Sequence, residues 1–222
     1  VRIAVVIPTL HEADRIQDTV RSALAPGVEV IVADGGSRDG TRERAREAGA
    51  RVVVSEPGRA RQLQAGARAA SAQAIVFLHA DTHLPRNWQV EVRRALARPG
   101  VVAGAFALRF DQPSPALRVV EWGTSLRLRL LQLPYGDQAL FMTRHALEAV
   151  GGVPQVPLME DIDLVRRLRR QGRLVLLPVA AVTSARRYRA QGVFRTVALH
   201  ALALLGYALG LDRARVAAWV RR

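Results

Sequence analysis

The sequence predicts an α/β fold: one mainly parallel mixed sheet with helices on both faces, followed by a helical C-terminal tail. Two observations lead there. Short β-branched runs alternate with amphipathic helical segments through the first half of the chain, the pattern of a parallel sheet covered by helices. The 222 residues, half of them apolar, suffice for one compact core and leave little room for a second domain.

The expected strands of the first half are Ile3–Ile7, Glu29–Ala33, Arg51–Val54 and Ala74–His79, each a short apolar run rich in Val and Ile. Helices are expected over Ala13–Leu24, Asp39–Ala48 and Arg59–Ala70, each beginning beside a Gly, Asp or Ser able to cap it. After Pro99 come a strand over Val101–Phe110, a helix over Pro115–Leu131 and a strand over Ala139–Thr143. A helix over Glu160–Arg170 and a strand over Arg173–Leu177 complete the sheet. No internal repeat, low-complexity segment or long linker interrupts the chain. The organisation expected is one domain over residues 1–190 and a helical tail over 191–222, packed on it or at an interface.

Composition narrows the chemistry. There is no cysteine, which excludes disulfides, thiolate metal sites and cysteine nucleophiles; a metal here takes oxygen or imidazole ligands. The formal net charge is +14, and all 33 basic residues are arginine. They are scattered along helical faces, as at Arg93, Arg94 and Arg98, and no basic run is interleaved with aromatics, so a nucleic-acid partner is not expected. The opening Val1-Arg2-Ile3-Ala4-Val5 is too short and strand-like for a signal peptide, which points to the cytoplasm. Thr196 to Leu211 carries no charge, but it falls short of the ~20 residues a spanning helix needs.

Ligands in parallel α/β sheets collect at the carboxyl ends of the strands. The first strand ends in Pro8-Thr9-Leu10-His11-Glu12, and the second in Asp34-Gly35-Gly36-Ser37-Arg38-Asp39-Gly40-Thr41. Glycines at a strand end let backbone approach a ligand, and Asp34 can accept hydrogen bonds from a base or ribose. Asp39 and Thr41 serve equally well as helix caps. The first strand lacks Gly-x-Gly-x-x-Gly, which argues against a dinucleotide cofactor.

The fourth strand runs into His79-Ala80-Asp81. An ionised Asp at the tip of a buried strand is costly unless a cation sits against it. A divalent metal bridging Asp81 to a diphosphate would compensate that cost and orient the leaving group, the template role of Mg²⁺ or Mn²⁺. Met159-Glu160-Asp161-Ile162-Asp163 opens a helix, where acids also complement the helix dipole.

Together these segments resemble the GT-A fold of family 2 glycosyltransferases, a Rossmann-like mixed sheet, and the resemblance runs over most of the chain. It rests on Ile7-Pro8-Thr9-x-x-Glu12, on Asp34-Gly35-Gly36-Ser37-x-Asp39-Gly40-Thr41, on Gly58-Arg59-Ala60-Arg61-Gln62-Leu63-Gln64-Ala65-Gly66, and on Leu78-His79-Ala80-Asp81, which stands in place of the family's Asp-x-Asp. Each motif is weak alone; four in the expected order are specific. The resemblance implies a nucleoside diphosphate sugar, UDP-linked by default with GDP and dTDP open, and an unidentified acceptor. It implies a donor site of Pro8, Thr9, Glu12, Asp34, Gly35, Ser37, Arg59, Gln64 and Arg187, with Asp81 on the metal. Asp161, matching the Asp of the family's Glu-Asp motif, takes the acceptor proton; Glu160 orients the acceptor or the base, and Gly136, Asp137 and Gln138, after Tyr135, lie on the acceptor side. Arg187, within Ser184-Ala185-Arg186-Arg187-Tyr188, loosely matches an arginine that clamps the departing diphosphate. Transfer with inversion follows from the family.

Two rivals differ in class. A nucleotidyltransferase should carry a glycine-rich, basic loop directly after the first strand, where this chain has Pro8-Thr9-Leu10-His11-Glu12. A non-catalytic nucleotide-sugar or polyanion binder would not need Asp81 with the Glu160-Asp161 pair. In the tail, Phe194–Leu211 and the amphipathic Asp212–Arg222, with Val216, Trp219 and Val220, allow a core helix, a homodimer contact, or peripheral attachment to an anionic membrane through Arg213, Arg215, Arg221 and Arg222.

Overall fold

A computed structural model describes residues 1–131, 134 and 136–220. Tyr135, Arg221 and Arg222, named above, lie outside the described residues, as does the side chain of Val220.

The strands are β1 (Ile3–Thr9), β2 (Val28–Asp34), β3 (Arg51–Val54), β4 (Ala74–Phe77), β5 (Thr82–His83), β6 (Val101–Phe110), β7 (Leu140–Thr143) and β8 (Arg173–Thr183). They form one sheet in the order β3-β2-β1-β4-β7-β6-β8-β5. β1 pairs in parallel with β2 on one side and with β4 on the other, so successive connections leave β1 in opposite directions. That reversal opens a crevice at the strand ends, where ligands bind in open α/β sheets. β7 runs antiparallel to β4 and β6, which makes the sheet mixed.

Both faces are covered, as the alternation along β1 demands. Ile3, Val5 and Ile7 point into a core shared with α1 (Ile16–Ala23), α2 (Thr41–Glu47) and α4 (Trp88–Leu96). Val6 points the other way, into a core built with α3 (Arg59–Ala69), α6 (Arg144–Ala149) and α7 (Glu160–Leu168). The α3–β1 contact is close: a Cβ on Gly66 would run into the Val6 side chain. Overpacking of that kind costs roughly 1–3 kcal/mol.

Three differences from the sequence expectation have physical causes. Arg173 begins a strand that continues past Pro178 to Thr183. Its register against β6 jumps between Leu177 and Ala180, so Pro178, which has no N–H to give, falls inside a bulge. α4 was not anticipated, although Trp88, Val92 and Ala95 follow helical spacing and are buried. β5 is only two residues long, held by pairing with β8 at the sheet edge, and no local pattern could have marked it.

Beyond β6 lies α5 (Pro115–Leu131), and beyond β8 come α8 (Arg186–Gln191), α9 (Val193–Ala208) and α10 (Arg213–Val220). The α9–α10 pair packs Ala203 and Val216 against Leu158 and Met159, directly before α7. Among the described residues no helix is long and apolar enough to cross a membrane.

Candidate active site

The loops after β1 and β2 are locked together. The backbone N–H groups of His11, Glu12 and Ala13 donate to Ser37 Oγ (2.9 Å), Thr41 Oγ1 (3.0 Å) and Asp39 Oδ2 (3.2 Å). Thr41 donates its backbone N–H (3.1 Å) and hydroxyl (2.5 Å) to Asp39 Oδ1, and these bonds hold the Asp39 carboxyl below the usual aspartate range. Asp39 and Thr41 thus staple the two loops, while the N-cap of α2 is Gly40 with no side-chain cap, in place of the capping role the sequence also allowed them.

Asp34 is fully buried and accepts from the N–H groups of Gly36 (3.1 Å) and Ser37 (3.0 Å), with Arg42 Nε at 3.7 Å. The Asp34 carboxylate thus bonds within its own turn, whereas the Ser37 hydroxyl reaches across to the loop after β1. Gly35 packs against Gln62, whose buried Nε2 donates to the carbonyls of Thr9 (2.6 Å) and Ala33 (3.0 Å) and ties the ends of β1 and β2 together. Gln62 was quoted in the motif but not singled out. Gln64, which was, accepts from the Val153 N–H (2.7 Å) and anchors α3 to that loop. Their alternation on α3 separates them: Gln62 faces the sheet. Thr9 Oγ1 is buried with no hydrogen-bond partner, beside half-buried Pro8 at the mouth of the crevice.

A second group of residues converges from distant parts of the chain. Arg59, opening α3, places Nε 3.0 Å from Glu160 Oε1 at the start of α7, and its guanidinium hydrogen-bonds His79 Nε2 at the end of β4. Burial, with Arg59 adjacent, holds His79 well below the usual histidine range, so the ring is neutral and accepts from Arg59. Burial raises Glu160, Arg59 works against that rise, and the Asp161 charge adds to it. Asp161 Oδ2 accepts the Gly136 N–H at 2.7 Å, and its Oδ1 accepts from Ile162 N at 2.9 Å. Glycine is required at 136 for space, because a Cβ there would collide with the Arg59 guanidinium. Met159, which precedes Glu160, has a φ of 61°, a conformation unusual for a side-chain-bearing residue.

The other two members of the 136–138 turn differ in role. Asp137 is pushed up to about 6 by burial, partly offset by Arg127, with Asp161 adding to the rise; its Oδ1 has no hydrogen-bond partner. Gln138 is fully buried and donates from Nε2 to the Phe106 carbonyl at 3.1 Å, which fixes the turn to β6.

Asp81 opens onto a cleft of about 600 Å³ whose walls include Arg15, Asp111, Ser184, Arg186 and Arg189. Arg186 lies 3.6 Å from Glu12, and Glu12 is raised by burial and by the Asp81 charge while Arg186 opposes the rise. Of the adjacent arginines, Arg186 therefore faces the Asp81 side, whereas Arg187 acts electrostatically on Tyr188 and His200.

Among the described residues no three His, Asp or Glu side chains stand together as a metal cluster. Asp81 is a hard oxygen donor lining the open cleft, and Glu12 lies near enough for the two charges to act on each other. Such a set fits Mg²⁺ or Mn²⁺, which take one or two carboxylates and complete their shells with phosphate and water.

Family 2 sequences share most of this frame: the description Glycosyl transferase family 2 matches residues 4–146, well over half of the chain. Over 53 residues the chain is 47% identical to glycosyltransferase AglJ of Haloferax volcanii, a match covering 23% of this chain and 18% of that protein. The chain therefore meets less than a fifth of that relative's length. A mycobacterial protein of known structure shares 28% identity at a TM-score of 0.58, over 82% of this chain and 65% of that one. Glucosyl-3-phosphoglycerate synthase from Mycobacterium tuberculosis, crystallised with Mn²⁺, UDP-glucose and phosphoglyceric acid, shares 26% identity at a TM-score of 0.63, over 95% of this chain and 80% of that one. Its sheet, its strand-end crevice and its matched sequence agree: the chain belongs to glycosyl transferase family 2 and has the GT-A fold.

Proposed function

We propose that the chain transfers a sugar from a nucleoside diphosphate, a UDP-sugar in the first instance, to an acceptor hydroxyl, with Asp161 as the base. The observation that carries this reading is the convergence of Arg59, His79, Gly136, Glu160 and Asp161, with His79 two residues before Asp81 in the chain. The UDP-glucose and Mn²⁺ bound by the M. tuberculosis synthase support the donor class and the metal.

In this reading the nucleoside lies over the ends of β1 and β2, beside the crevice, against Pro8, Thr9 and the Asp34–Ser37 turn. The diphosphate lies toward Asp81, with Glu12 and Arg186 beside it. A divalent metal held there supplies Lewis-acid stabilisation to the leaving diphosphate. Arg59 presents positive charge to the same region, and its bond to neutral His79 and its pairing with Glu160 hold the guanidinium in place.

Asp161 carries out the proton transfer. The Gly136 N–H holds its Oδ2 and the start of α7 holds its Oδ1, so the carboxylate is oriented before the acceptor arrives. The acceptor hydroxyl gives its proton to Asp161 as its oxygen attacks the anomeric carbon from the face opposite the diphosphate. The C–O bond to the diphosphate breaks, and the configuration inverts. Glu160, paired with Arg59, positions rather than accepts.

Thermal-shift titration with UDP, GDP, dTDP and UDP-sugars, with and without Mn²⁺, tests the donor half. A stabilisation by UDP that grows with Mn²⁺ supports it; no response to any nucleotide refutes it. If nucleotide binds but donor hydrolysis and transfer are both absent with Mn²⁺, the chain is a nucleotide-sugar binder instead.

A further inference from the structure

Helix α9 is built inside out. Its buried residues are small or polar, Thr196, Ala203 and Gly206, with Val193, Leu199, Leu204 and Tyr207 half-buried, while Phe194, Val197, Leu202, Leu205 and the C-cap Leu209 are exposed. Phe194 is 89% exposed and Leu209 67%. A surface helix of a soluble protein does the reverse. Single exposed apolar residues are ordinary, but these fall on one side of a 16-residue helix and recur along its length of about 24 Å.

A neighbouring helix repeats the feature. α5 exposes Val119, Trp122 and Leu126, spaced three and four apart. Val120 of α5 and Val193 of α9 pack on one small cluster of Leu108, Phe110, Leu117 and Ala185, which brings parts of the two helices to the same region. Trp219 on α10 adds another exposed aromatic.

The charge around these stripes identifies the occupant. Arg118, Arg195 and Arg215 are exposed on α5, α9 and α10, and neither α9 nor the described part of α10 contains an acid. The nearby acids are turned to other uses: Glu121 accepts the Phe110 N–H at 2.9 Å, and Asp212 accepts the Arg215 N–H at 2.8 Å. Two copies of this face would oppose arginine to arginine. We infer that the α5–α9–α10 face docks on the surface of an anionic phospholipid bilayer, with Trp122 and the α9 leucines among the acyl carbons and the arginines at the headgroups. The helices lie in the interface and do not span it. The inference is independent of the proposed transfer reaction and stands or falls separately.

Co-sedimentation with vesicles tests it, using phosphatidylcholine alone and phosphatidylcholine with 30 mol% phosphatidylglycerol. The full chain should bind the anionic vesicles at 50 mM NaCl, with at least ten-fold weaker binding at 0.5 M NaCl and to phosphatidylcholine alone. A Leu202→Asp, Leu205→Asp double variant should lose binding ten-fold or more while keeping its circular dichroism and thermal midpoint, since both positions are already exposed. Failure to bind anionic vesicles at 50 mM NaCl overturns the proposal. So does binding that the double variant leaves unchanged, which would reflect net charge alone. A dimer in solution that the double variant dissociates, without vesicle binding, would give the face to a second copy.

Discussion

Asp161 accepts the Gly136 backbone N–H at 2.7 Å, so the carboxylate that opens α7 is tied to a turn 25 residues earlier in the chain. The same glycine leaves room for the Arg59 guanidinium, which a Cβ would strike. Gly136→Ala should therefore displace Arg59 from Glu160 and His79. We expect turnover to fall ten-fold or more, with a stability loss of only about 1–3 kcal/mol. Nucleoside diphosphate release and thermal unfolding, measured on the same preparation, check both; unchanged turnover would show that Arg59 has no part in the reaction.

Asp137 makes stability depend on pH in a stated direction. Its carboxyl titrates at about 6 in the folded protein against 3.8 for the ordinary aspartate, chiefly through burial. Its contribution is fully present below pH 4 and is lost as pH rises through 6, because ionisation is easier in the unfolded chain. Asp137→Asn removes that loss. The variant should gain stability over the wild type at pH 8, by roughly 3 kcal/mol at most from the size of the shift, and little at pH 4. Equal gains at both pH values would contradict the assignment.

The tail grips the helix that carries Asp161. Asp163 accepts from Tyr207 Oη at 2.7 Å and from Arg213 Nη1 at 2.5 Å, while Arg166 and Arg213 each sit 4.9 Å from the Tyr207 ring centre. Burial works to raise Asp163, but these bonds outweigh it and leave its carboxyl below the usual value of 3.8. Arg213→Ala should cost on the order of 1–2 kcal/mol at pH 7. Since Asp163 is lowered by folding, its stabilisation is lost as pH falls through the folded value, and the deficit should shrink below pH 4. Denaturant unfolding at pH 7 and pH 3.5 measures this.

The alternating pattern of the first half made the parallel strands and their flanking helices legible, because Ile3, Val5 and Ile7 against Val6 is a local signal of two covered faces. The bulge at Pro178 was not, since proline ordinarily ends a strand and only the register against β6 absorbs it here. At the site, the residue types of Asp81, Arg59 and the Glu160-Asp161 pair could be picked out from their motifs. Direction could not. Asp34 and Gln64 have internal partners, Gln62 ties two strand ends, and Arg186 pairs with Glu12, because each depends on which side of a loop or helix packs. His79 as the partner of Arg59 needed the fold, which joins residues 20 apart on separate elements.

The central claim is a division of labour between Asp161 and Asp81, and binding and turnover of a UDP-sugar by two variants test it most directly. With Mn²⁺ present, Asp161→Asn should lower turnover by about 10²–10⁴, the range a positioned base contributes, while UDP affinity measured by calorimetry stays within two-fold of wild type. Asp81→Asn should weaken both UDP affinity and turnover, and its UDP affinity should no longer respond to Mn²⁺. Equal loss of UDP affinity in the two variants, or full turnover by Asp161→Asn, would contradict the account.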